Sequence, residues 1–117
     1  MCETGEGQPR DPAKAARLYE AAALGGNAVA QNNLGNCRLY GIGVERDPQA
    51  AAGWYRKAAD QGSADAMFSL GRLCELGEGL PQDRGEALGW YRKAAALGMS
   101  EAQRRADELA GAESAPL

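Results

Sequence analysis

The sequence contains no histidine, only one phenylalanine and three cysteines among its 117 residues. Without histidine, the chain has no Ser-His-Asp or Cys-His nucleophile arrangement, and it lacks a common zinc ligand. Aromatic residues make up 6% of the chain, which is too few for a large central core. The net charge is −3, with Lys and Arg mixed among Asp and Glu. Such a sequence offers no basic stripe for binding nucleic acid.

Long apolar runs are also missing, so no stretch of the sequence is expected to cross a bilayer. Residues 1–5 lack the basic region and the apolar core of a signal peptide. We therefore expect a cytoplasmic protein without a membrane partner, or a periplasmic or secreted one if the chain is a piece of a longer protein. Cys2, Cys37 and Cys74 are odd in number and widely spaced, which predicts reduced structural thiols instead of disulfides or a metal site.

A period of 36 residues runs through the chain. A glycine-rich element with a following aspartate occurs three times, as Gly5-x-Gly7-x3-Asp11, Gly41-x-Gly43-x3-Asp47 and Gly77-x-Gly79-x3-Asp83. Behind each copy comes an alanine-rich pattern with a tyrosine, namely Ala15-Leu18-Tyr19-Ala22-Ala23, Ala51-Trp54-Tyr55-Ala58-Ala59 and Ala87-Trp90-Tyr91-Ala94-Ala95. A period of this length is typical of a solenoid built from stacked supersecondary units.

Each unit is predicted to contain two helices joined by the glycine-rich loop. Asp11-Pro12 and Asp47-Pro48 are helix start signals, and Asp83 with Glu86 predicts a capping box. The apolar spacing predicts helices over 12–25, 28–40, 48–61, 64–76, 84–97 and 100–111, with no strand. The chain should therefore be all-α. Gly35 and Gly71 fall in mid-helix, where glycine costs up to about 1 kcal/mol relative to alanine, so we expect another backbone to lie too close there for a Cβ.

These residues resemble the Sel-one-like repeat (SLR) family, a relative of the tetratricopeptide repeats. The best copy is Ala66-x3-Leu70-Gly71-x5-Gly77-x-Gly79-x3-Asp83-x3-Ala87-x2-Trp90-Tyr91-x2-Ala94-Ala95-x2-Gly98. The resemblance covers nearly all of residues 1–111 and implies a right-handed α-solenoid of six helices in antiparallel pairs. It divides a single solenoid, 1–117, into a partial repeat (1–26), full repeats (27–62 and 63–98), a last helix (99–111) and a tail (112–117).

Several motifs have a functional and a structural interpretation. The Gly-x-Gly elements lack the preceding strand and further glycines of a phosphate-binding loop, so a structural loop is predicted. The recurring Trp54, Trp90 and tyrosines are predicted to be core packing residues and not ligand-stacking residues. Arg56-Lys57 and Arg92-Lys93 are predicted to form a solvated outer face near helix C-termini.

The resemblance also implies that the first helix of each repeat lines a concave groove. The candidate peptide contacts are Asn32, Asn36, Phe68, Arg72 and Arg104. Asn32 and Asn36 lie one helical turn apart, and their amides could hold an extended peptide backbone. Arg72, Arg104 and the neighbouring Arg105 offer forked donors for a carboxylate. The alternative is a polar surface that is merely solvated.

We therefore expect a non-catalytic adaptor that binds a peptide or protein segment and needs no cofactor. Two alternatives stay open. The resemblance also covers cysteine-rich relatives connected with β-lactam binding, but those carry disulfide-paired cysteines in each repeat, which this chain lacks. The other alternative is a self-associating module, in which exposed repeat ends such as the one at Leu18 form a homodimer.

Overall fold

The computed structural model describes the backbone of residues 11–114 and the side chains of residues 11–111. Within this part, the chain forms six α-helices and no strand, which confirms the predicted all-α solenoid. The helices are α1 (Pro12–Leu24), α2 (Ala28–Tyr40), α3 (Pro48–Asp60), α4 (Ala64–Leu76), α5 (Arg84–Ala96) and α6 (Ser100–Ser114). We call α2, α4 and α6 the first helices of the repeats, and α1, α3 and α5 the second helices.

The predicted helix limits agree with the structure to within one residue, except at the end of α6. This helix runs to Ser114, whereas the sequence predicted its end at 111 and a tail from 112. Each helix packs mainly against the helix before it and the helix after it in the chain. This pattern of neighbour contacts is that of a solenoid, and the molecule is accordingly elongated, with extents of 51 × 28 × 27 Å.

The second helices begin at aspartate caps, as predicted. Asp11, Asp47 and Asp83 each accept a hydrogen bond from the backbone N–H three residues later, at 3.0 to 3.1 Å. The predicted capping box at Asp83 is wrong in its second half. The N–H of Asp83 donates to the carbonyl of Cys74 at 2.9 Å, so it is not free for the side chain of Glu86. That side chain instead lies 3.9 Å from the guanidinium of Arg56.

The two mid-helix glycines lie against tyrosine rings. A Cβ added at Gly35 would lie 2.6 Å from a ring carbon of Tyr55, and one added at Gly71 would lie 2.7 Å from a ring carbon of Tyr91. Both rings are completely buried. A close neighbour was correctly expected at these positions, but the neighbour is an aromatic side chain and not another backbone.

The tryptophans lie at the edge of the core instead of inside it. Trp54 and Trp90 are half-buried, and each packs against the adjoining apolar clusters. The ammonium of Lys57 lies 4.8 Å from the ring centroid of Trp54, and that of Lys93 lies 4.6 Å from the ring of Trp90. Cation–π attraction of this kind suits a partly exposed ring. The predicted packing of the tryptophans against the core is therefore present, although both rings are only half-buried. Both lysines are exposed as expected.

None of the six helices in residues 11–114 combines the length and apolar character needed to cross a membrane.

Candidate functional site

The first helices carry two neighbouring depressions on one surface of the solenoid. The large groove has a volume of about 420 Å³ between α4 and α6, and it is lined by Phe68, Arg72, Glu75, Leu76, Glu101 and Arg105. The small groove, of about 90 Å³, lies on the α2 side of α4 and is lined by Leu39, Tyr40, Tyr55, Ser69, Arg72, Leu73, Leu76 and Glu78. Arg72 and Leu76 line both grooves, so the two depressions adjoin.

The spacing of residues along the helices places these side chains on one surface. In α4, Phe68, Arg72 and Leu76 are separated by four residues each and therefore lie on the same face. The opposite face carries Leu70 and Cys74, which are buried in the core. In α6, Glu101 and Arg105 follow the same four-residue spacing. Apart from Glu78, which follows the end of α4, the residues that line the two grooves lie on helices.

An ion pair joins α4 to α6 inside the large groove. The guanidinium of Arg105 donates to both carboxylate oxygens of Glu75, at 2.7 and 2.8 Å. The hydroxyl of Tyr91 donates to the same carboxylate at 2.7 Å, and Arg105 also donates to Glu108 at 3.0 Å. The ring of Phe68 packs against the ring of Tyr91, with their centroids 5.5 Å apart.

This network holds its members in their usual charge states. Burial opposes ionisation of Glu75, but the hydrogen bonds from Tyr91 and Arg105 outweigh it, so the pKa of Glu75 is lowered. Burial, together with the neighbouring Glu75, raises the pKa of the Tyr91 hydroxyl. The hydrogen bond to Glu75 raises the pKa of Arg105. Glu75 therefore stays ionised and Tyr91 stays neutral across the physiological range.

The preceding repeat lacks this ion pair. There, the hydroxyl of Tyr55 donates to the side-chain oxygen of Asn36. The residues one period before Glu75 and Arg105 are Leu39 and Ser69, which carry no charge. Within the described residues, α4 and α6 are thus joined by a charged contact between first helices, whereas α2 and α4 are not.

We expect Glu75→Gln to lower the free energy of unfolding by about 1 kcal/mol at neutral pH, because it removes charge-assisted hydrogen bonds at a partly exposed site. The native pKa of Glu75 lies below its unfolded value. The stability that the carboxylate contributes is therefore present above the unfolded pKa and is lost as the pH falls through the folded pKa. The difference between wild type and variant should shrink in acid.

Urea unfolding at neutral and acidic pH measures this effect. Glu45→Gln is the matched control, because Glu45 is exposed and forms no ion pair with the residues that the structure describes. A loss for Glu75→Gln that stays the same at both pH values would contradict the assignment.

The structure separates the five candidate contact residues. Phe68 and Arg72 line the large groove. Asn36 lines a third depression, of about 250 Å³, between α1 and α2. Its amide oxygen already accepts a hydrogen bond from the hydroxyl of Tyr55. Asn32 is half-buried, and its amide oxygen has no hydrogen-bond partner among the described residues. Arg104 is exposed and lines neither groove. Binding at these residues stays a prediction.

Four residues of the large groove were not among the five candidates, namely Glu75, Leu76, Glu101 and Arg105. Arg105 lies next to the chosen Arg104, and Glu75 was not considered for the groove at all. A signal was present in the sequence, because Glu75 and Arg105 introduce opposite charges where the preceding repeat has Leu39 and Ser69. Paired departures from a repeat are a reason to look for a contact between adjacent units.

Comparison with known families identifies the chain. The model of the Sel1 repeat matches residues 1–27, 28–63 and 64–99. The chain belongs to the Sel1 repeat family. The matched limits lie one residue later than the predicted repeats 27–62 and 63–98. Sel1 repeats are generally protein-interaction modules, and proteins built from them are generally non-catalytic scaffolds.

Solved structures of Sel1 repeat proteins support the assignment. A Sel1 repeat protein from Oxalobacter formigenes is 36% identical, with a TM-score of 0.85 over 90% of this chain and 43% of that chain. The protein c5321, a protective antigen present in uropathogenic Escherichia coli strains, is 40% identical, with a TM-score of 0.79 over 84% of this chain and 21% of that one. This chain therefore spans less than half the length of either relative. A comparison with curated protein sequences gives no match.

Helicobacter pylori cysteine rich protein B is a more distant relative, 26% identical, with a TM-score of 0.72 over 76% of this Sel1 repeat chain and 67% of that protein. In this chain, Cys37 and Cys74 are buried free thiols, and burial raises the pKa of both. Cys2 lies outside the described residues. The two described cysteines thus behave as small apolar core residues, which fits the predicted reduced thiols.

Proposed function

We propose that this Sel1 repeat chain is a non-catalytic adaptor that binds an extended peptide or protein segment along the first helices. The observation that carries the proposal is the junction of the large and small grooves at Arg72 and Leu76. The grooves lie on successive first helices, so one extended segment could occupy both. Helical repeat proteins commonly bind partners over such extended surfaces.

The chemistry of the surface also supports binding of a polypeptide. Leu76 is 62% exposed and Tyr40 is 58% exposed, and both line the small groove beside the polar side chains of Ser69 and Arg72. A surface that mixes apolar anchors, an aromatic residue and arginine is typical of protein–protein interfaces. The segment would bury apolar area while its backbone and polar side chains keep hydrogen-bond partners.

The ionisable groups of the large groove favour a binding role over a catalytic one. General acid–base catalysis works best with a group whose pKa lies near the working pH. The contacts around Glu75 lower its pKa, and those around Tyr91 raise the pKa of the hydroxyl, so both values are moved away from neutrality. Glu75 and Arg105 serve to hold α4 and α6 together.

Peptides selected on the folded chain by phage display test the proposal. We expect Leu76→Lys to weaken binding of the selected peptides at least about tenfold, because it places a charge where apolar area is buried. Leu97→Lys is the matched control. Leu97 is 56% exposed and also lies at the C-terminal end of a helix, but it lines neither groove.

Circular dichroism on both variants verifies that the helices are retained. Equal binding by Leu76→Lys and wild type would contradict the proposal, as would an equal loss in the Leu97→Lys control. Homodimer formation through the end that carries Leu18, which is exposed, stays a separate prediction.

A further inference from the structure

Arg72 is the cation that the groove surface leaves available to a partner. It is exposed, it lines both grooves, and it forms no ion pair with the residues that the structure describes. The other groove cation, Arg105, is committed to Glu75 and Glu108. The two arginines therefore differ, since the guanidinium of Arg105 is paired with carboxylates of the solenoid itself and that of Arg72 is not.

Two of the three carboxylates that line the grooves with Arg72 are already paired. Glu75 is bound by Arg105 and Tyr91, and Glu78 is paired with Arg46. Glu101 lines the far side of the large groove on α6 and forms no ion pair within the described part of the chain. A partner carboxylate would be attracted by Arg72 and repelled by Glu101. It would therefore lie at the small-groove side of Arg72.

The small groove itself is suited to one aliphatic side chain. It has a volume of about 90 Å³, and Leu39, Tyr40 and Leu76 supply apolar walls. Alternate residues of an extended peptide point to the same side, so two residues separated by one position face the same surface. An aliphatic residue in the small groove would place the second residue along at its rim, where Arg72 lies.

From these contacts we propose that the groove surface selects extended segments in which an acidic residue lies two positions from an aliphatic residue. The acidic side chain pairs with Arg72, and the aliphatic side chain fills the small groove. This inference rests on the proposed function, because it names the chemical class of the segment that the same surface binds. The pairing is with a side-chain carboxylate and does not require a free chain terminus.

Two degenerate pools of short peptides, capped at both termini, test the selectivity. One pool carries leucine and glutamate separated by one random position, and the other carries glutamine in place of the glutamate. We expect the full chain to bind the glutamate pool about tenfold more tightly, as a charge-assisted, forked hydrogen bond would provide. Fluorescence anisotropy at fixed ionic strength measures both affinities.

Two arginine variants show which side chain binds the carboxylate. Arg72→Gln should remove the preference for the glutamate pool, whereas Arg92→Gln should retain it, because Arg92 is exposed on α5 and lines neither groove. Arg72→Glu should reverse the preference toward a third pool with lysine at the acidic position. Both Arg72 substitutions replace an exposed side chain, so the fold should persist, which circular dichroism verifies.

The outcomes separate the two proposals. A glutamate preference that survives Arg72→Gln, or equal binding of the glutamate and glutamine pools, overturns the acidic selectivity. If both pools bind equally and Leu76→Lys abolishes both, the groove still binds peptides and only the selectivity is wrong. If neither pool binds, the selectivity proposal fails, and the peptides selected by phage display decide the proposed function independently.

Discussion

Gly79→Ala should lower the free energy of unfolding by about 3 kcal/mol. Gly79 has a φ of +74°, and a Cβ added there would lie 2.4 Å from the carbonyl oxygen of Pro48. Alanine in the left-handed region costs about 1–2 kcal/mol, and forcing an atom against a packed backbone adds about 1–3 kcal/mol. The contact lies between the loop after α4 and the first turn of α3, so the substitution should separate adjacent repeats. Urea unfolding followed by circular dichroism measures the loss.

Gly98→Ala is the control that isolates this contact. Gly98 also has a positive φ, of +98°, but nothing lies within 4 Å of an added Cβ. It should therefore show only the conformational cost of about 1–2 kcal/mol. Equal losses in the two variants would mean that the approach of the loop to α3 contributes nothing to the requirement for glycine at position 79. A larger loss at Gly79 would support a structural function for the Gly-x-Gly loop.

Gly71→Ala should lower the free energy of unfolding by about 2 kcal/mol, although alanine is the better helix former. The change gains up to about 1 kcal/mol of helix propensity. The new Cβ would lie 2.7 Å from the buried ring of Tyr91, and overpacking of this kind costs up to about 3 kcal/mol. Because the ring contacts Phe68 and its hydroxyl donates to Glu75, a displaced ring should also disturb the large groove.

Gly89→Ala provides the comparison within a second helix. Gly89 is exposed in the middle of α5, and nothing lies within 4 Å of an added Cβ. It should raise the free energy of unfolding by up to about 1 kcal/mol, the ordinary difference between the two residues in a helix. The same urea titration measures both variants. Stabilisation by Gly71→Ala of the same size as by Gly89→Ala would show that the tyrosine ring moves aside without cost.

Local signals allowed the helices to be predicted closely. Aspartate caps at Asp47 and Asp83 act within three residues of the chain, and the amphipathic spacing repeats within each helix, so both can be read from short windows of sequence. The predicted capping box at Asp83 was wrong because a contact outside the local window takes its N–H. Its N–H is taken by the carbonyl of Cys74, which lies nine residues earlier, across the loop.

The candidate site was predictable in outline and not in detail. The period places Phe68 and Arg72 on a first helix, and both line the large groove. The same period aligns Phe68 with Arg104, which led to the choice of that arginine. The contact that actually spans α4 and α6 joins Glu75 to Arg105, thirty residues apart. That separation is not a whole period, so the repeat pattern alone does not reveal it.

By itself, the sequence determined the repeat, the all-α class, the helix limits other than the end of α6, and the absence of histidine chemistry, because each depends on residue identity or on spacing within a few turns. Only the tertiary structure decided which neighbours meet. It showed that Gly71 makes room for the ring of Tyr91. It also showed that Arg105 is bound inside the solenoid, whereas Arg72 forms no ion pair within the described part of the chain. The physical reason is that such contacts depend on distances between helices, and stacking of the repeats sets those distances.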